Sequence, residues 1–318
     1  MKELVSVVVP MFNEEEGIQE FLDEQLLPVL LKLPVKTEVV LVDDGSRDKT
    51  LQKIEKCKIN DAVPVRVVAL IRNFGKEVAL SAGLKNAKGN AVIMIDADGQ
   101  HPVEAIPKMV KMWQDGSVIV TAVRGQNTTK HRVASRMYYG VMHAMGDKEM
   151  VMGAMDFRLV DREVVDEFCK FTERNRLTRG LIDWMGYPQD YIKVETKNRV
   201  HGKPTYSFKK LARVAGDSLA SSSRTPLAIF GYIGAIIMVG SGILGLFILI
   251  QQYILGDPLK LDWSGAVAMS VFVSFLVGLV LVSQAMTALY ISQIHVESKG
   301  RPLYIIDKKK SKGLNDKA

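Results

Sequence analysis

Cysteine is nearly missing from this chain: two in 318 residues, Cys57 and Cys169, in no CxxC or metal-ligand spacing. That excludes a disulfide scaffold and a thiolate zinc site, and fits reduced thiols in a cytosolic compartment. Aromatic residues are few, at 7%, and do not interleave with the basic ones. The net charge of +7 and pI near 9.2 therefore speak for membrane and phosphate partners rather than nucleic acid. No internal repeat is visible. No signal peptide is expected either: the opening Met1-Lys2-Glu3 leads into VSVVVP, which is too short for an h-region.

Charge itself is absent from two stretches. Leu227–Ile250 and Ser264–Ile294 carry none, and each exceeds the ~20 residues that cross a bilayer. They explain a mean hydropathy of +0.08, high for a chain whose first part reads as an ordinary α/β protein. Arg213 and Arg224 precede these runs, and Lys299, Arg301 and Lys308–Lys310 follow. The positive-inside rule then predicts both termini in the cytoplasm and a short external loop. Before the first run, Phe208, Leu211, Ala215 and Leu219 recur at helical spacing among Lys209, Lys210 and Arg213, the pattern of a helix lying on a membrane surface. The expected organisation is a soluble domain over 1–202, an interfacial helix over 203–225, and two spans (about 227–250 and 266–291) within 226–295. A basic tail over 296–318 completes it, its KKKSKGLNDKA end expected to be disordered near anionic lipid.

What the first 125 residues do contain is apolar runs alternating with helical ones. VSVVVP (5–10), EVVLVDDG (38–45), VRVVALI (65–71), AVIMIDAD (91–98) and VIVTAVR (118–124) are unbroken rather than alternating. Such strands are buried on both faces, which predicts a mostly parallel sheet with helices on both sides. Ligands bind at the carboxyl ends of such strands. The polar clusters 10–14, 43–48, 72–76 and 96–100 fall there.

Two of these clusters carry paired acids. Asp43-Asp44 follows the second predicted strand, where carboxylates suit ribose hydroxyls or a base imide, and where a helix N-cap is the plainer use. Asp96-Ala97-Asp98 ends the fourth. Residues two apart on a strand share a side, so both carboxylates can face one cleft. Mg2+ is typically held by one or two carboxylates plus substrate phosphates, and Gln100 offers a further oxygen. Downstream, the stretch 126–224 is rich in arginine, whose fork suits phosphate.

Taken in order, Pro10…Asn13-Glu14, Asp43-Asp44-Gly45-Ser46-x-Asp48-x-Thr50, Arg72-Asn73-x-Gly75-Lys76…Ala82-Gly83 and Asp96-Ala97-Asp98-x-Gln100-x-Pro102 resemble the family 2 glycosyltransferases of the GT-A fold. Further on, Asp156-Phe157-Arg158-Leu159, Arg176…Arg179-Gly180, Arg199…Gly202, the two apolar runs and Gly300-Arg301-Pro302-x-Tyr304 resemble the polyprenyl-phosphate branch, which includes bactoprenol glucosyltransferases and dolichol-phosphate mannose synthases. The resemblance implies a GT-A domain, a Rossmann-like mostly parallel sheet, with a two-helix transmembrane hairpin. It places Pro10, Asn13, Glu14, Asp43, Asp44 and Lys76 at the donor nucleotide. It gives Asp96, Asp98 and Gln100 to Mg2+ or Mn2+, makes Asp156 the catalytic residue, and sets Arg158, Arg176, Arg179 and Arg199 on phosphate groups. Three positions depart from the family's usual pattern: Gly99-Gln100-His101, Met155 before Asp156, and Gly202-Lys203-Pro204-Thr205-Tyr206.

The activity so implied is metal-dependent, inverting transfer of a hexose from a nucleotide-diphosphate sugar, UDP-glucose or UDP-N-acetylglucosamine, to polyprenyl (undecaprenyl) phosphate at the plasma membrane. GDP-mannose is the alternative donor, and a second copy of the chain or a separate flippase are further partners. A processive polysaccharide synthase is disfavoured, because no Gln-x-x-Arg-Trp motif occurs. A non-catalytic, membrane-anchored sugar-nucleotide-binding subunit is the reading from another class.

Overall fold

A computed structural model describes residues 4–124, 154–174, 176–195, 225–256 and 264–314. Arg199 and the expected interfacial helix lie outside these residues. The chain divides into two units, Met1–Lys203 with Pro302–Ala318, and Pro204–Arg301.

In the first unit, β1 (Leu4–Met11), β2 (Lys36–Asp43), β3 (Val65–Ala69), β4 (Ala91–Met94), β5 (Ile119–Arg124), β6 (Ala154–Asp161) and β7 (Gln189–Val194) form one sheet in the order β3-β2-β1-β4-β6-β5-β7. Neighbours from β3 to β4 are parallel, β6 runs antiparallel to β4 and β5, and β7 is parallel to β5. The expected mostly parallel sheet is therefore present, with one reversed strand. Its unbroken apolar runs split between two cores, one on each face. Val7, Val9, Val39 and Leu41 pack on one side with Ile18, Phe21 and Trp113. Val8, Val40 and Val42 pack on the other with Ala79, Leu80, Ala82 and Leu84 of the helix Lys76–Asn86.

Three boundaries differ from the sequence expectation. The helix expected from Glu14 starts at Ile18, because the loop ahead of it is bonded to the one after β2, and it passes through a π-helical stretch, Phe21–Leu26. The fourth strand ends at Met94, so Asp96 and Asp98 stand beyond the ladder. The largest difference is the tail. The tail, whose end from Lys308 was expected to be disordered, lies antiparallel beside β3, with bridges Leu70↔Ile306 and Val67↔Lys312. The Val67 and Lys312 amides donate to each other's carbonyls at 3.0 and 2.9 Å, and the Ala69 amide donates to Ser311 Oγ at 3.0 Å. Tyr304, Ile306 and Leu314 pack against the core while Lys308–Lys310 turn outward. The lysine run dominated the reading of a segment whose apolar residues decide its place. An otherwise open sheet edge is covered.

Among the described residues, the second unit has the α-helices Thr225–Leu249, continued by a π-helical stretch Ile250–Ile254, and Gly265–Ser298. They pack closely on small residues: a Cβ on Gly278 would lie 2.6 Å from the Met238 amide and 2.8 Å from the Gly234 carbonyl. Most of their large side chains face outward, among them Ile236 at 72% and Ile294 at 66% exposure. Both are long and apolar enough to cross a membrane.

Candidate active site

The loops after β1, β2 and β3 are fastened to one another by side chains. The Asn13 amide donates to Ser46 Oγ at 2.9 Å, the Arg47 amide donates to Asn13 Oδ1 at 2.9 Å, and the Glu14 amide donates to Thr50 Oγ1 at 2.9 Å. Asn13 reaches its position with φ of +56°, in the left-handed region that Asn tolerates. Asp43 accepts the Ser46 amide on both oxygens at 3.2 Å. Asp44 accepts the Phe74 amide at 2.7 Å and the Gly75 amide at 2.8 Å. Both acids are buried, and burial raises both pKa values even though these hydrogen bonds pull the other way. Gly45 lies so close to the third loop that a Cβ there would stand 2.4 Å from the Arg72 carbonyl carbon. The doublet thus sets loop geometry first, a duty the sequence reading had not assigned it. Pro10 is buried inside β1, in register with Val42.

That geometry delivers Lys76. It is the first residue of its helix, following the Gly75 that Asp44 holds. Its ammonium lies 2.8 Å from each oxygen of Asp96 and 3.0 Å from Asp156 Oδ2. Burial pushes the Lys76 pKa down, but Asp96 and Asp156 outweigh it and the net shift is upward. Asp96 is held from behind by His101, whose Nε2 lies 3.1 Å from Asp96 Oδ2. Burial raises the Asp96 pKa, while the His101 hydrogen bond and Lys76 lower it by more. His101 is buried, its ring centroid 5.5 Å from that of Phe157, and its Nδ1 has no partner. The sequence marked His101 only as a departure; the signal that could have found it is its place five residues past Asp96, across the turn at Gly99.

Beyond β4 the accessibility still alternates. Asp96, Asp98 and Gln100 are partly exposed while Ala97, Gly99 and His101 are buried. The two carboxylates are accessible together, though from a turn and not from strand alternation. The Gln100 amide donates to Asp98 Oδ1 at 3.1 Å. Asp156 stands on β6 where the strand bulges: Arg158 pairs Thr121 but Ala154 pairs Val123. Bulges of this kind re-aim side chains beside active sites. Since β6 runs against β4, its first residues meet the carboxyl end of β4, and Asp156 reaches the site of Asp96.

The arginines divide. Arg158, expected on phosphate, is 1% exposed; it donates to Asp183 at 2.7 Å and to the Met155 carbonyl at 3.3 Å. It is an internal ion pair, because a β6 residue on this face points into the core. Arg176 donates to the Glu173 carbonyl at 2.8 Å, to Ser81 Oγ at 3.2 Å and to the Phe171 carbonyl, so it organises its own loop. Arg179 borders a small cavity with Asp156, Glu77 and Thr178; Arg179 Nε and Thr178 Oγ1 are both buried there without a partner.

The donor set fits a divalent cation held jointly with a ligand. Among the described residues no group of three or more His, Cys, Asp or Glu converges as a closed metal cage. Two accessible carboxylates, Asp96 and Asp98, are the kind of donors that a cation shared with substrate phosphates takes.

Residues 6–169 match the family described as Glycosyl transferase family 2. An uncharacterized glycosyltransferase of Synechocystis sp. is 38% identical over 306 residues, covering 95% of this chain and 94% of its own. A bactoprenol glucosyl transferase of Shigella phage SfV is 35% identical over 311 residues, covering 97% of this chain and 99% of its own. A solved mannosyltransferase of Pyrobaculum calidifontis, in complex with GDP-Man and Mn2+, is 17% identical with a TM-score of 0.44, covering 94% of this chain and 76% of that one, a likeness too slight to bear on the site. On the family match and on relatives aligned end to end, the chain belongs to glycosyltransferase family 2.

Proposed function

We propose that this glycosyltransferase moves a hexose from a nucleotide-diphosphate sugar to a polyprenyl phosphate at the cytoplasmic face of the plasma membrane, with inversion. The observation that carries the reading is the Asp96–Lys76–Asp156 cluster at the carboxyl ends of the strands, in a chain that aligns over 97% of its length with a bactoprenol glucosyl transferase. The loops around Asn13, Glu14, Asp43 and Asp44 frame the nucleotide. Asp96 and Asp98, with Gln100 beside them, would hold Mg2+ or Mn2+. When bound, that cation stabilises negative charge on the departing diphosphate. A polyprenyl phosphate is already an anion at neutral pH, so Asp156 has little proton to remove. Its work is to orient the acceptor, with Arg179 bordering the same small cavity as Asp156.

The chain path supports an even number of crossings. Residues up to Lys203 and from Pro302 onward belong to one unit, and two spans would return the chain to the side it left. The basic residues Lys299 and Arg301 at the return support the cytoplasmic side.

The test is incubation of membranes with labelled UDP-glucose, UDP-N-acetylglucosamine and GDP-mannose, with the lipid product identified by mass. A hexosyl polyprenyl phosphate is expected. Absence of any glycolipid with all three donors would overturn the acceptor reading, and retained anomeric configuration would overturn direct displacement.

A further inference from the structure

We infer that Lys76 is a resident counter-ion which yields its place to the metal only when the nucleoside diphosphate arrives, so that metal and donor bind as a coupled pair. The inference rests on the metal–diphosphate reading of the site and goes beyond it.

Three observations carry it. First, Lys76 Nζ does not reach out toward solvent as a phosphate-seeking lysine would. It lies 2.8 Å from both oxygens of Asp96, one of the two acids that would hold the metal, and 3.0 Å from Asp156. Second, neither end of the contact is loose. The backbone carrying Lys76 is fixed by the Asp44 bonds to the Phe74 and Gly75 amides, and Asp96 is backed by the buried His101. Third, the contact is open to exchange. The side chains of Lys76, Asp96 and Asp156 are 40%, 25% and 38% exposed, so a hydrated ion and its ligand can enter without unfolding anything.

The electrostatics follow. With Lys76 in place, the ammonium offsets one of the two acids, and a divalent ion entering alone must displace a like charge. The displaced ammonium would then lose its closest contact, both oxygens of Asp96, in a partly desolvated cleft. A diphosphate supplies that partner, since Lys acts as a point charge toward phosphate and its four-carbon stem can swing. Each ligand thus removes an obstacle to the other, and the coupling must be reciprocal. Withdrawal of Lys76 also uncovers Asp156, so the residue that orients the acceptor becomes available once the donor is seated.

Mn2+ binding to the full-length protein in nanodiscs, followed by electron paramagnetic resonance with and without UDP or GDP, tests this. In the wild type, one of the two nucleotides is expected to tighten Mn2+ by about ten-fold, within the usual range of coupling between sites. Lys76→Met is expected to bind Mn2+ alone about ten-fold more tightly than wild type and to lose most of the coupling. Lys76→Arg, which keeps the charge, is expected to behave as wild type. Lys76→Met with unchanged or weaker Mn2+ affinity would overturn the inference, as would Lys76→Arg that tightens Mn2+ as much as Lys76→Met. Wild-type protein that binds no Mn2+ even with either nucleotide would overturn the metal reading beneath it, a separate outcome. Asp98→Asn, expected to abolish the signal in every background, identifies the ion being observed.

Discussion

The same residue types do opposite things in the two units. In the first, Val7, Leu41 and Ile93 are sealed at 0% exposure; in the second, Ile236, Ile254 and Ile294 stand outward at 66–73%. Aliphatic side chains turned out over the length of two helices are the pattern of helices long and apolar enough to cross a membrane. The polar groups follow the same logic. The first unit binds its buried carboxylates to loop amides, as Asp44 does. The second returns its hydroxyls to its own helices: Ser241 donates to the Ile237 carbonyl at 2.5 Å and Ser270 to the Ala266 carbonyl at 2.8 Å. The lesson is that the two units satisfy their side chains by different rules, and a perturbation in one should leave the other standing.

Asp98→Ala puts that separation under the greatest strain. Sugar transfer is expected to fall at least about a hundred-fold, as loss of support to a metal does, while fractionation shows undiminished membrane association. Full activity with the divalent ion chelated would sink the metal reading. Arg158→Ala is next. It leaves Asp183 facing a cavity where a guanidinium had been 2.7 Å away, a loss of about 3 kcal/mol for a buried pair broken on one side. The first unit should unfold earlier by Trp113 fluorescence, with the helix pair unaffected. Gly278→Ala reverses the direction: a methyl 2.6 Å from the Met238 amide forces the helices apart, at a cost of about 1–3 kcal/mol. It should be visible in SDS titration and silent in Mn2+ titration. Ser311→Ala is the finest probe, worth about 1 kcal/mol. It should speed hydrogen exchange at the Ala69 amide and leave transfer near wild type.

Much of this was legible in the residues. Unbroken apolar runs announced strands covered on both faces, and the charge-free stretches announced the helix pair. Ordered acids at successive strand ends pointed to the candidate site, and Lys76, Asp96 and Asp156 meet there. What escaped has a common physical cause: side chains whose partners only the folded chain brings beside them, across 30 residues for Asp44 and 5 for His101. Asp44 looks like a ligand until the Phe74 amide is brought beside it, and Arg158 like a phosphate clamp until Asp183 is. His101 reads as an anomaly until it is placed behind Asp96. The tail misled in another way, because its lysines are loud and its Tyr304 and Ile306 are quiet.

That tail has a consequence for synthesis. The Ala69 amide and its Ser311 partner are 242 residues apart. At about 5–20 residues per second, roughly 12–50 s separate the emergence of the edge strand from that of the segment that caps it. Throughout that interval β3 offers an open ladder to any other chain nearby, and both apolar helices must leave the ribosome before it closes. The first unit is therefore finished last at a strand made early, and a nascent chain stalled between the two helices would present the edge most inclined to pair with the wrong partner.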